Sequence, residues 1–94
     1  MHPLIESHRT EILALAERHG IGDVRVFGSM ARGDAGDASD VDLLVELRPG
    51  KTGLALGALL TDVQDLLDRR VEVVTENSLH PAIRDRIVRE AQRL

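Results

Sequence analysis

The sequence predicts an α/β sandwich built around one small sheet. Three short β-branched runs, residues 24–27, 41–47 and 70–75, alternate with segments whose apolar residues recur at helical spacing. The chain has 94 residues, which suits one domain with an adequate but not generous core, residues 1–94. Hydrophobic residues make up 43% of it, yet Phe27 is the only aromatic. The core must therefore be assembled from Leu, Val, Ile and Ala, which pack in well-defined rotamers.

Residues 3–19 read as one amphipathic helix. Ile5, Ile12, Leu15 and Ala16 share a stripe, and Gly20 supplies the stop. The first strand, 24–27, runs into Gly28-Ser29, after which a brief helical turn is expected over 29–32. Residues 33–39 contain two glycines and two aspartates and read as a loop. The second strand, 41–47, ends at Pro49-Gly50. From Leu54 to Leu67 the pattern is helical again, with Leu56, Leu59, Leu60, Val63, Leu66 and Leu67 inward. The third strand follows over 70–75, then a turn at 76–78. A last helix opens at His80-Pro81, where proline is tolerated, and carries Ile83, Ile87, Val88, Ala91 and Leu94.

Three acids stand out against this frame. In a strand, side chains at i and i+2 share a face, about 6.6 Å apart at Cα, so Asp40 and Asp42 set two negative charges side by side. Like charges that close raise each other's pKa unless a cation intervenes. A hard divalent ion such as Mg²⁺ meets that need and leaves room for substrate phosphates. Glu72 is the third acid, flanked by Val71 and Val73, which face the other side. Its ordinary reading is an exposed pair with Arg70, worth little; its functional reading places it across from Asp40 and Asp42. Gly-Ser after a strand is common turn chemistry, and Asp-x-Asp is frequent in solvated loops. In register with two strands, the combination is far more specific.

That combination resembles a known signature. Gly28-Ser29, ten intervening residues, and Asp40-Val41-Asp42 look like the motif of the DNA polymerase β-type nucleotidyltransferase superfamily. Ala31-Arg32-Gly33 and Ser39-Asp40-Val41-Asp42-Leu43 are similar to its minimal nucleotidyltransferase (MNT) branch, as is the segment Leu79–Ile87. The resemblance implies a small mixed β-sheet flanked by helices, a polymerase β-like core. It implies Asp40, Asp42 and Glu72 as catalytic and Mg²⁺-binding acids, with ATP as co-substrate. A glutamate at position 72 departs from the Asp usual at that place, which alters reach and bears on base function. Two metal ions so held would clamp an in-line displacement at phosphorus. Ser29 and N–H groups at the start of the short helix would bind the outer phosphates, Gly28 would let the backbone approach, and Arg32 would support phosphates or the loop.

Within the MNT branch the resemblance implies a protein adenylyltransferase acting as antitoxin, which modifies a tyrosine of a HEPN-domain ribonuclease toxin. The alternative is an antitoxin that masks its toxin sterically, without catalysis. Larger relatives add a helical domain for the acceptor, so in this chain another macromolecule is expected to present it.

Composition excludes several other classes. There is no cysteine, so disulfides, thiolate zinc sites and a Cys nucleophile are ruled out, compatible with a reducing cytoplasm. No apolar stretch approaches the ~20 residues of a membrane span, and the N-terminus lacks the pattern of a signal peptide. A net charge of −4 disfavours strong direct nucleic-acid binding, Arg84, Arg86, Arg89 and Arg93 being a local exception. The acidic balance and lack of stacking aromatics also disfavour a transferase acting on RNA 3′ ends. Gly50-Lys51-Thr52 is not a P-loop, because the required earlier glycine is Val45. His2, His8, His19 and His80 are too dispersed to suggest a metal cluster.

Overall fold

The computed structural model describes residues 1–36 and 38–94. Strands β1 (Ile21–Phe27), β2 (Val41–Leu47), β3 (Val71–Val74) and β4 (Gln92–Arg93) form one sheet in the order β3-β2-β1-β4. β1 runs antiparallel to β2 and β4, and β2 runs parallel to β3, so the sheet is mixed. The helices are α1 (Pro3–Ser7), α2 (Arg9–Arg18), α3 (Ser29–Arg32), α4 (Gly53–Leu67) and α5 (Pro81–Glu90), with a 3₁₀ turn at Glu76–Ser78.

Strand alternation divides the core in two. Val26, Val41, Leu43, Val45 and Val71 point to one face, where they pack with Ile12 and Ala16 of α2 and Leu59, Val63 and Leu67 of α4. Phe27 and Leu44 point to the other, against Leu79 and Ile87, which seat α5. The second cluster is small, so each member matters: Ile87→Ala would cost about 2–5 kcal/mol and loosen the helix.

Three element boundaries differ from expectation. The first helix is two helices, because the His8 ring nitrogen Nδ1 hydrogen-bonds the Leu4 carbonyl at 2.8 Å and the Ser7 hydroxyl donates to the same oxygen at 3.1 Å. Side-chain groups thus compete for the carbonyl that the His8 amide would take in a continuous helix; that amide donates to Ile5 instead, at 3.1 Å. β1 begins at Ile21, three residues before the apolar run. Its early part is disguised by Gly22 and by Asp23, which has φ 48° at a register shift against β2. The last helix stops at Glu90, and the chain turns back to add β4 beside β1. A strand of two exposed residues has no periodicity to read. Gly20, by contrast, ends α2 in the left-handed region at φ 71°, as a stop glycine should.

Candidate active site

The antiparallel pairing of β1 with β2 brings the C-terminal end of one strand to the N-terminal end of the other. Phe27 lies opposite Asp42, so Gly28-Ser29 and Asp40-Val41-Asp42 meet at one edge of the molecule although ten residues separate them. The parallel pairing of β2 with β3 sets Asp42 directly opposite Glu72. In neighbouring strands such partners share a face at a spacing of about 4.8 Å. The backbone registers alone therefore gather Gly28, Ser29, Asp42 and Glu72, with Asp40 two residues before Asp42 on the same side.

Gly28 is the tightest constraint in the group. Its φ is 73°, a conformation that L side chains rarely adopt. A Cβ there would collide with Asp42 Oδ2 and lie 3.3 Å from the carboxyl carbon. The glycine thus does more than allow approach of a ligand: it makes space for the carboxylate itself. Four-residue α3 follows at once, with Gly33 at φ 83° closing it through an N–H donated to the Ser29 carbonyl at 3.0 Å. One turn of helix carries little dipole, so anion contacts at this place rest on individual donors.

The electrostatics are those of crowded like charges. Asp42 is half-buried, and that burial is the main cause that pushes its carboxyl above the usual range. The charges of Glu72, Asp40 and Glu90 push it the same way, while Arg32 opposes them. Asp40 is half-buried and Glu72 exposed. Among the described residues, no three His, Asp or Glu side chains converge into a closed metal cage. The acids form an open, anionic rim instead. Such a rim suits Mg²⁺, which dehydrates reluctantly and is commonly held by one or two carboxylates together with waters and substrate phosphates.

Two residues outside the motif complete the edge. Arg69 donates from Nη1 to the carbonyls of Gly36 and Ser39, at 3.1 and 3.3 Å, and so holds the segment that leads into Asp40. The predicted loop 33–39 also contains Asp37, which lies outside the described residues. Glu90, the last residue of α5, accepts from the Gly28 N–H at 3.3 Å and pairs with Arg32. Arg32 also reaches Asp34 at 3.2 Å, so it is bound to the loop at one end and to α5 at the other. Neither Arg69 nor Glu90 has a local sequence signal. Each acts through a contact across at least 30 positions, and Glu90 is placed by the return of the chain into β4.

A polar concavity lined by Val45, Glu46, Leu47, Thr75, Glu76 and Asn77 sits at the opposite ends of β2 and β3 and contains none of these groups. No helix among the described residues is long and apolar enough to cross a membrane.

Comparison with known proteins places this geometry. A family model described as a nucleotidyltransferase domain matches residues 9–94. Protein adenylyltransferase MntA of Thermococcus cleftensis is 36% identical over 87 residues, covering 93% of this chain and 85% of its own. A Methanocaldococcus jannaschii chain provisionally named a protein adenylyltransferase is 38% identical over 87 residues, covering 93% and 94%. Among solved structures, one provisionally called a minimal nucleotidyltransferase superimposes with a TM-score of 0.86 at 43% identity, covering 100% of this chain and 97% of the other. A chain from a tri-AMPylated Shewanella oneidensis HEPN toxin in complex with an MNT antitoxin gives a TM-score of 0.69 at 18% identity, covering 94% and 69%, a likeness of fold. With the Gly-Ser turn and the Asp-x-Asp strand meeting at one sheet edge, these matches show that the chain belongs to the nucleotidyltransferase domain family, on its minimal branch.

Proposed function

We propose that this chain is a Mg²⁺-dependent protein adenylyltransferase that moves AMP from ATP to a hydroxyl of a partner protein. The partner we infer is a HEPN ribonuclease toxin, silenced by modification of a tyrosine, which makes the chain its antitoxin. The observation that carries the reading is the pairing of Asp42 with Glu72 beside Gly28. It crowds carboxylates where ionised Asp42 is disfavoured and a cation bound with a nucleotide would relieve it. The names of the adenylyltransferase relatives support the choice of AMP and of a protein acceptor, and the HEPN complex of a structural neighbour supports the choice of partner.

In this reading Asp40 and Asp42 hold the metal, and Glu72 faces the acceptor. When bound, Mg²⁺ neutralises phosphate charge and stabilises the attacking and leaving oxygens. The acceptor oxygen forms a bond to the α-phosphorus as the bond from that phosphorus to the α–β bridging oxygen breaks. Pyrophosphate leaves with that electron pair, and the hydroxyl proton passes to Glu72. Gly28 N–H, the Ser29 hydroxyl and Arg32 are the donors on the phosphate side. Arg69 keeps the approach to Asp40 in place.

A second reading, steric masking of the toxin without transfer, has its own support in the open arrangement of the acids and in the glutamate at position 72. The two separate cleanly. Incubated with its toxin, ATP and Mg²⁺, the wild-type chain should add adenylyl mass to the toxin, and Asp40→Asn with Asp42→Asn should abolish the addition and the neutralisation together. An unmodified toxin that is nonetheless neutralised by both forms would establish masking instead.

A further inference from the structure

Glu90 is an odd group to find at this edge. Its charge adds to the repulsion on Asp42, and its ion pair with Arg32, whose side chain is 52% exposed, contributes little to stability. Yet its side chain is only 20% exposed, and both carboxylate oxygens are used. Oε2 accepts the Gly28 N–H at 3.3 Å, and Oε1 takes Arg32. Those are two of the donors assigned above to the outer phosphates. A carboxylate that bridges a backbone amide and a guanidinium makes the contacts a phosphate group would make.

We propose that Glu90 is an internal stand-in for a nucleotide phosphate, holding Gly28 N–H and Arg32 in place until a triphosphate displaces it. The inference rests on the nucleotidyl-transfer reading of the site. Glu90 fills the anion position in the free protein, keeps its two donors satisfied and oriented, and competes with the incoming ligand. The displacement is a swing of one side chain and not an undocking of α5. The chain just beyond Glu90 is fastened to α3 and β1: Gln92 donates from its side chain to the Ala31 carbonyl of α3 at 2.9 Å, while on β1 the Leu94 N–H donates to the Val24 carbonyl at 3.0 Å and Arg93 pairs with Asp23 at 2.8 Å. Once released, Arg32 keeps Asp34 as its partner and is free to turn to the phosphate.

Tripolyphosphate in EDTA is the probe, because it carries the phosphate chain without base, sugar or metal. If Glu90 holds the donors about nine-tenths of the time, Glu90→Gln should tighten tripolyphosphate binding about tenfold by calorimetry. Titration should shift the Gly28 amide resonance in both proteins and leave the amides of residues 92–94 unmoved. Asp34→Asn, which removes a neighbouring charge but leaves the Gly28 contact, measures the through-space contribution and should give a smaller gain. Binding by Glu90→Gln no tighter than by Asp34→Asn, with the wild type binding normally, overturns the stand-in and leaves the transferase reading intact. Movement of the 92–94 amides would also overturn it, in favour of undocking. Absence of binding by every form, with Mg-ATP also failing to bind, would remove the transferase reading itself.

Discussion

The two ends of β1 treat negative charge in opposite ways. At its start Asp23 is flanked by arginines: Arg25 Nη2 lies 2.6 Å from one carboxylate oxygen and Arg93 Nε 2.8 Å from the other. Hydrogen bonding from Arg25 is the main reason its carboxyl is held below the usual range. At the far end Asp42 faces Glu72, Asp40 and Glu90, whose charges Arg32 opposes only weakly, and burial with those charges pushes it up. Asp23 has what a structural carboxylate needs and fastens β4 to the sheet. Asp42 lacks it, and an arrangement that works against the stability of the ionised fold is what the proposed metal-binding role of this carboxylate calls for.

The contrast is broken most severely at the acidic end. Asp40→Asn with Asp42→Asn should lower adenylyl transfer by roughly 10³-fold or more, since charge stabilisation by such groups is commonly the largest contribution to rate. The check is mass spectrometry of the partner together with circular dichroism of the variant, which should remain folded. Glu72→Gln should lower transfer by about 10²-fold, the lower range for a general base, and Glu72→Asp should retain more activity than Glu72→Gln. Equal rates for the two would remove the proton-accepting role.

Gly28→Ala perturbs the same end through the backbone. At φ 73° and ψ −156° Gly28 occupies a region essentially reserved for glycine, where a side chain costs about 1–3 kcal/mol, and the collision with Asp42 must move the carboxylate. Both melting temperature and Mg-ATP affinity should fall. A variant that melts lower but binds normally would show that Asp42 need not sit where it does.

Stability against pH sharpens the comparison, because the two aspartates should act with opposite sign. Asp42 has a raised folded-state pKa, so the folded chain holds its proton more tightly than the unfolded chain. Its contribution therefore favours folding at low pH and is lost as pH rises through the folded value. Asp42→Asn should raise the melting temperature at pH 7 by a few degrees, a gain that vanishes below the ordinary aspartate range. Asp23 has a lowered pKa, so its stabilisation is present above the ordinary aspartate value and disappears as pH falls through the folded one. Asp23→Ala should cost about 1–2 kcal/mol at neutral pH, from the lost ion pairs and from alanine at φ 48°. Asp23→Gly, free of the backbone strain, should cost less. Paired melting curves of wild type, Asp42→Asn and Asp23→Gly over acidic to neutral pH test both signs at once.

Much of this is legible in the amino-acid sequence itself. The Gly-Ser turn and the Asp-x-Asp strand are local in sequence, and strand parity places their side chains, so the acidic edge and its motif could be read directly. The alternation of strands and helices gave the α/β class, and the resemblance gave the mixed sheet. What escaped has a common physical origin. His8 splits the first helix through side-chain hydrogen bonds that apolar periodicity ignores. Gly22 and Asp23 hide the start of β1 because a bulge uses residues that strands avoid. Arg69 and Glu90 reach the site by contacts between distant segments, and β4, which sets the end of α5, is too short to leave a pattern.

The central claim is that Asp40 and Asp42 take a metal-bound nucleotide. Calorimetric titration of ATP into the wild-type chain and into the folded double Asp→Asn variant, each with Mg²⁺ and with EDTA, tests it most directly. Binding should be strong only for the wild type with Mg²⁺. Equal binding by both proteins, or binding by the wild type that ignores Mg²⁺, would contradict it.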